Sequence, residues 1–172
     1  MRLSSRSSLS RSSLSRSSLS RALLGELQRG FALDFLGIHG VRHWGRVRRN
    51  GLLLARESGA DTVVVELFAV FHDACRWSDG HDPEHGDRGA ELAAQLRGEL
   101  FELDDARFEL LQVACRGHSD GWTEGDPTVI TCWDADRLDL GRVGIEPDPR
   151  YLCTPVARRP EILDWCYRRS LR

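Results

Sequence analysis

No lysine occurs among the 172 residues, so all 24 fixed positive charges are arginine, a bias that fits GC-rich coding and assigns no function. No Cys-x-x-Cys pair occurs either. The five cysteines, at 75, 115, 132, 153 and 166, are odd in number and widely scattered, which argues against a disulfide framework and for reduced core residues. No apolar run approaches the roughly 20 residues that span a bilayer, the richest being Val63 to Phe71. A soluble, cytoplasmic protein with no membrane partner is therefore expected.

Acidic residues are missing from the first 21 positions, which carry five arginines. There the unit Arg-Ser-Ser-Leu-Ser repeats from Arg6, Arg11 and Arg16, and a period of five matches neither helix nor strand. Residues 1–21 are read as a low-complexity disordered extension, although their composition also suits a transit peptide. Residues 22–172 then carry 19 arginines against 26 acids, an excess of seven negative charges. That balance opposes polymeric nucleic acid as a partner but allows a small phosphorylated substrate held by metal ions and a few arginines. Monomer and homodimer both stay open.

From Leu23 onward the apolar spacing is helical, and residues 22–172 are of a size for one domain. The pattern predicts helices over 22–29, 41–57, 61–75, 87–99, 104–118, 126–139 and 160–170, an all-α bundle. The segment 61–75 contains the strand-favouring run Val63-Val64-Val65, but its apolar stretch is long enough for a helix buried on nearly all sides. Asp126-Pro127 is a helix start, with a cap acceptor followed by proline at the first turn.

Metal-binding residue types lie on the apolar faces of these helices. His72 continues the stripe of Val65, Phe68 and Ala69, and His118 that of Phe108, Leu111 and Cys115. Asp136 lies in line with Val129, Cys132 and Trp133, and His43 with Val47 and Leu54. One such histidine is more often a satisfied core residue than a ligand. Several with a buried carboxylate are most economically explained by a metal, since an unpaired buried charge is costly and imidazole with carboxylate suits iron, manganese, nickel or zinc. Adjacent residues such as His72 and Asp73 point about 100° apart on a helix, so the pair can approach one ion from two sides while the aspartate reaches a second.

The segments HGVRHWGRV (39–47), FHDACR (71–76), EHGDRGAELA (84–93), ACRGHSDG (114–121) and CWDADRLDLGR (132–142) together resemble the HD-domain superfamily of metal-dependent phosphohydrolases. The order His, His-Asp, His, His, Asp is similar to that of two-metal members, including the symmetrical diadenosine tetraphosphate hydrolases, and the resemblance runs from about Gly37 to Thr154. It implies a compact HD-like helical fold in which His43, His72, Asp73 and Asp136 hold one metal. Asp73 would bridge to a second, held also by His85 and His118. One or two divalent or iron-type ions are expected, with Mn, Fe, Ni, Co, Zn and Mg not distinguished. Two ions about 3.5–4 Å apart sharing a carboxylate can hold a nucleophilic hydroxide and neutralise phosphoryl charge.

The family pattern selects His43 over His39, which is left a structural or supporting role. His81-Asp82 is a second His-Asp pair, but it lies in a Gly/Pro-flanked loop. Asp134 and Asp139 compete with Asp136, and helix phase and the Ala-Asp-Arg-Leu context favour Asp136. Arg76 stands where many HD proteins have lysine, three positions after the aspartate. It is assigned with Asp73 to catalysis and to substrate phosphate, and Arg46 and Arg137 are further substrate-binding candidates that serve equally as structural charge partners. The implied activity is hydrolysis of a small phosphorylated molecule, a nucleotide or dinucleotide, with Trp77 and Trp122 available to stack on a base or to pack locally. Alternatives are an HD-fold di-iron oxygenase and a non-catalytic nucleotide-binding domain that retains its metal.

Overall fold

The computed structural model describes residues 19–172, in which seven α-helices follow one another: α1 (Arg21–Gly30), α2 (Val41–Ser58), α3 (Thr62–Phe71), α4 (His85–Leu96), α5 (Asp105–Gly117), α6 (Pro127–Arg137) and α7 (Pro160–Ser170). Short 3-10 turns at Leu140–Val143 and Pro149–Tyr151 link the last two, and no strand forms among the described residues. The all-α expectation holds. The Arg/Ser repeat falls, up to residue 18, outside the described residues. Its last residues belong to the fold, because the Ser20 hydroxyl caps α1 by accepting from Leu23 N at 3.1 Å and Arg21 begins the helix.

The ambiguous segment is a helix. The Asp61 carboxylate accepts from Val63 N and Val64 N at 2.9 and 3.1 Å, satisfying two of the donors that a helix start leaves open. Every residue from Val64 to Phe71 is then buried, with α2, α4, α5 and α6 all packed around α3. Burial on every side removes the amphipathic signal and leaves a continuous apolar run. The helix ends earlier than the pattern suggested. His72 is its cap, and residues 72–75 form tighter turns, with Ala74 N bonded to Phe71 O at 3.2 Å. At α6 the anticipated start is observed, Asp126 accepting from Thr128 N at 2.7 Å with Pro127 in the first turn.

All five cysteines are free, and Cys115, Cys132 and Cys166 are buried, as expected of reduced core residues. A smaller cluster of Leu54, Leu138, Leu152, Val156, Ala157 and Cys166 seats α7. Trp165 lies at the surface under the Arg169 guanidinium, outside that core.

Two glycines let α4 approach closely. A Cβ at Gly89 would lie 2.2 Å from Phe71 O, and one at Gly86 would lie 2.3 Å from Cys115 O. Both obstacles are backbone, which cannot swing aside as a side chain can. Gly89→Ala is therefore expected to lower stability by about 1–3 kcal/mol through overpacking. Urea unfolding would show this as a lower midpoint with an unchanged slope. An unchanged midpoint would show that α4 moves off α3 freely.

Candidate metal centre

Four imidazoles are fixed by their Nδ1 atoms, three by an acceptor nearby in sequence and one by an acceptor far along the chain. His72, capping α3, donates Nδ1–H to Phe68 O at 3.1 Å, and His118, capping α5, donates to Cys115 O at 2.7 Å. Cys115 O is one of the last α5 carbonyls, which a helix end leaves without an intrahelical donor, whereas Phe68 O uses a second lone pair, since it also accepts from His72 N at 3.0 Å. His85, first residue of α4, donates to Asp82 O. His43, within α2, donates to Asp139 Oδ2 at 2.7 Å, across 96 residues of sequence.

A carbonyl or carboxylate oxygen here only accepts, so the proton of each neutral ring lies on Nδ1 and the lone pair on Nε2. All four Nε2 atoms point inward. His43 Nε2 stands 3.0 Å from His72 Nε2, and His85 Nε2 stands 2.8 Å from His118 Nε2. Facing lone pairs at that distance repel unless a proton or a cation joins them. The donor set thus fits a metal.

Asp73, 1 % exposed, lies between the two pairs. Its Oδ2 is 3.5 and 3.7 Å from the Nε2 atoms of His43 and His72, and its Oδ1 is 3.2 and 3.8 Å from those of His85 and His118. Asp136 Oδ1 lies 3.3 Å from His43 Nε2 and 3.8 Å from His72 Nε2, buried without an aligned hydrogen bond. Ligand atoms about 2.0–2.2 Å from one ion are separated by about 3 to 3.6 Å, close to these spacings. The donor atoms of His43, His72 and Asp73 fall within 4.8 Å of one another, as do those of Asp73, His85 and His118, and each trio could hold an ion. All six residues proposed as ligands from sequence converge.

The carboxylates are countered by positive charge. Burial pushes the Asp73 carboxyl up, yet the imidazoles of His72, His118, His39 and His43 hold it well below the usual range. Burial also opposes ionisation of Asp136, whose carboxyl is held low by His43 and the Arg142 guanidinium. Burial and Arg142 disfavour a charged His43, but the carboxylates of Asp136, Asp139 and Asp73 around it outweigh them and raise its pKa to about 9. Burial lowers His72 to about 3, so this ring stays neutral at working pH.

The centre opens into a cleft of about 440 Å³ whose wall includes Arg76, Arg137 and Arg142. Arg76 Nε donates to Asp73 Oδ1 at 3.0 Å, with Nη1 on Ser78 O. Arg137 donates Nη1 to Tyr151 O at 2.8 Å, while its Nη2 is buried without an acceptor. Arg46 is not brought to the cleft. Its Nε donates to Asp139 Oδ1 at 2.6 Å, and it faces a different hollow. Among the rival acids, Asp134 is structural, accepting from Cys153 N, Thr154 N and Thr154 Oγ1 at 2.7 Å each, whereas Asp139 orients His43 from behind. His39 Nδ1 donates to Asp73 Oδ2 at 2.9 Å, which gives it the supporting role. Asp82 pairs with Arg88, and His81 is exposed. Arg142 was missed by sequence reasoning. It lies six residues after Asp136, with Nη2 3.7 Å from Asp136 Oδ1, and nothing in its local pattern marks it.

A metal at His43 Nε2 must displace the proton that the raised pKa keeps there. Affinity at this position is thus expected to rise with pH up to about 9 and to fall below it, with about one proton released per ion at pH 7. Calorimetric titration of the metal in two buffers of different ionisation enthalpy measures this release. Equal heats in both would contradict it.

No family model matches the chain, and no curated protein matches it. Among solved structures, a predicted HD superfamily hydrolase from an uncultured Thermotogales bacterium is similar at 26% identity, with a TM-score of 0.66 over 86% of this chain and 84% of that one. The chain therefore has the fold of an HD-superfamily structure, and its His/Asp cluster fits an HD-type site.

Proposed function

We propose that this chain is a metal-dependent phosphohydrolase acting on a small phosphorylated molecule, with a nucleotide or dinucleotide as substrate class. The observation that carries the reading is the convergence of four inward Nε2 atoms on the two oxygens of Asp73, at the base of an arginine-walled cleft. The similar structure is itself described as a predicted hydrolase.

His43, His72, Asp73 and Asp136 would hold one ion, and Asp73, His85 and His118 a second. When bound, such ions lower the pKa of a coordinated water and neutralise charge on phosphoryl oxygens. The protein's own part is positioning. Asp139 and three backbone carbonyls fix the four rings, and His39 and Arg76 hold the Asp73 carboxylate. The unsatisfied Arg137 Nη2 and the guanidiniums of Arg76 and Arg142 suit a phosphate's planar, charge-assisted hydrogen bonds. Trp122, exposed beside Gly121 of the cleft wall, offers a face to a base, whereas the Trp77 ring is already covered by Arg88 at 3.8 Å.

Metal analysis and a phosphate-ester screen of the full chain test this reading. His72→Ala and Asp73→Ala are each expected to lose both bound metal and phosphate release. Unchanged metal content in both variants would overturn the site, and oxygen consumption without phosphate release by iron-loaded protein would overturn the reaction. Arg142→Ala is expected to keep its metal and to raise KM about tenfold through loss of one charged hydrogen bond. Unaltered kinetics would remove Arg142 from the substrate.

A further inference from the structure

On the α2–α7 side lies a second hollow, of about 400 Å³, that shares no lining residue with the cleft. Five arginines line it: Arg42, Arg46 and Arg49 from α2, and Arg169 and Arg172 from α7 and the residues after it. Spacings of four and three along α2 place its three arginines on one helix face. Gly45, on that same face, leaves the floor without a side chain, since a Cβ there would meet nothing within 4 Å.

This concentration is unbalanced. Several exposed arginines elsewhere find acids, as in Arg29 with Glu26, Arg159 with Glu57 and Arg168 with Asp164, while Arg21, Arg56 and Arg158 stand singly without one among the described residues. Among the described residues, Arg42, Arg49, Arg169 and Arg172 have no carboxylate within 4 Å, although acids outnumber bases in the chain. Arg46 is paired only with Asp139, which is fully buried. Arg169 Nε is buried with no acceptor. Burial, and then Arg49, Arg172 and Arg46, push the Arg169 pKa down, so the group is held against its like-charged neighbours. A bound anion would supply both the missing acceptor and the missing charge.

We propose that this hollow binds a small oxyanion of the phosphate class, single or chained, at a site separate from the metal centre. Guanidinium forks match the planar edges of phosphate oxygens, and the lining holds no aromatic ring to take a base. The acidic balance of the chain turns a polymeric phosphate backbone away. The anion would touch the metal centre indirectly, because Arg46 holds Asp139 and Asp139 holds His43.

The test compares wild type with the double variant Arg49→Ala, Arg172→Ala, both residues being exposed and without acidic partners. Metal-loaded full chain is titrated with orthophosphate and with methylenediphosphonate, whose P–C–P link resists hydrolysis, and followed by calorimetry and thermal unfolding. Each arginine removed is expected to weaken binding about tenfold. Without anion the double variant should unfold at the same temperature as wild type or higher, because repulsion is relieved. Added phosphate should raise the wild-type midpoint more than the variant's. Equal anion binding by the two proteins, or wild-type binding that Arg76→Ala alone abolishes, would overturn the proposal by assigning all the phosphate to another position or to the cleft.

Discussion

A carboxylate sealed from water must be matched by positive charge, because an unpaired buried ion costs several kcal/mol even after relaxation. Asp73 is that carboxylate, and the neighbouring architecture reads as the means of satisfying it. Its Oδ2 faces His39, His43 and His72, and its Oδ1 faces His85, His118 and Arg76. Splitting the oxygens between two imidazole pairs would let one residue serve two ions. It also requires four helices to end or pass within a few ångströms of each other, which explains the all-round burial of α3 and the glycines where α4 meets α3 and α5.

The imidazoles show how ordinary helix chemistry is put to use. A histidine just past a helix terminus has an acceptor carbonyl at hand, and bonding to it commits Nδ1 and leaves Nε2 for the interior. His72 and His118 both use this device, at the ends of α3 and α5. Such placement aims a lone pair without a dedicated side-chain partner. Charge follows a similar division of labour, with Arg142 beside Asp136 within the cleft and Arg46 behind Asp139 on the far face.

Much of this was legible in the sequence. The seven helices followed from apolar spacing, and even α3, whose β-branched start suggests a strand, betrayed itself by the length of its apolar run. The six converging residues could be named because each interrupts an apolar face or sits in a recognisable segment. What could not be read depends on contacts distant along the chain. Helix phase and context preferred Asp136 over Asp139, but the part Asp139 plays at Nδ1 of His43, almost a hundred residues earlier, had no local signal. Arg46 was drawn toward the substrate by its nearness to His43 in sequence, yet its guanidinium is held by Asp139 and lines a different hollow. The early end of α3 was hidden because His72 and Asp73 stay buried after the helix stops.

Of the four ring anchors, three are main-chain carbonyls, which no substitution can delete. The fourth is the Asp139 side chain, held by another side chain, Arg46. Mutational drift can therefore reorient His72 or His118 only by deforming a helix end, and His85 only by moving the loop backbone at Asp82, but it can retune His43 by a single codon change at a residue that never touches the ring. If relatives of this protein differ in metal preference or reactivity while keeping the same six converging residues, the Arg46–Asp139 pair is the place where such divergence can be written at least structural cost.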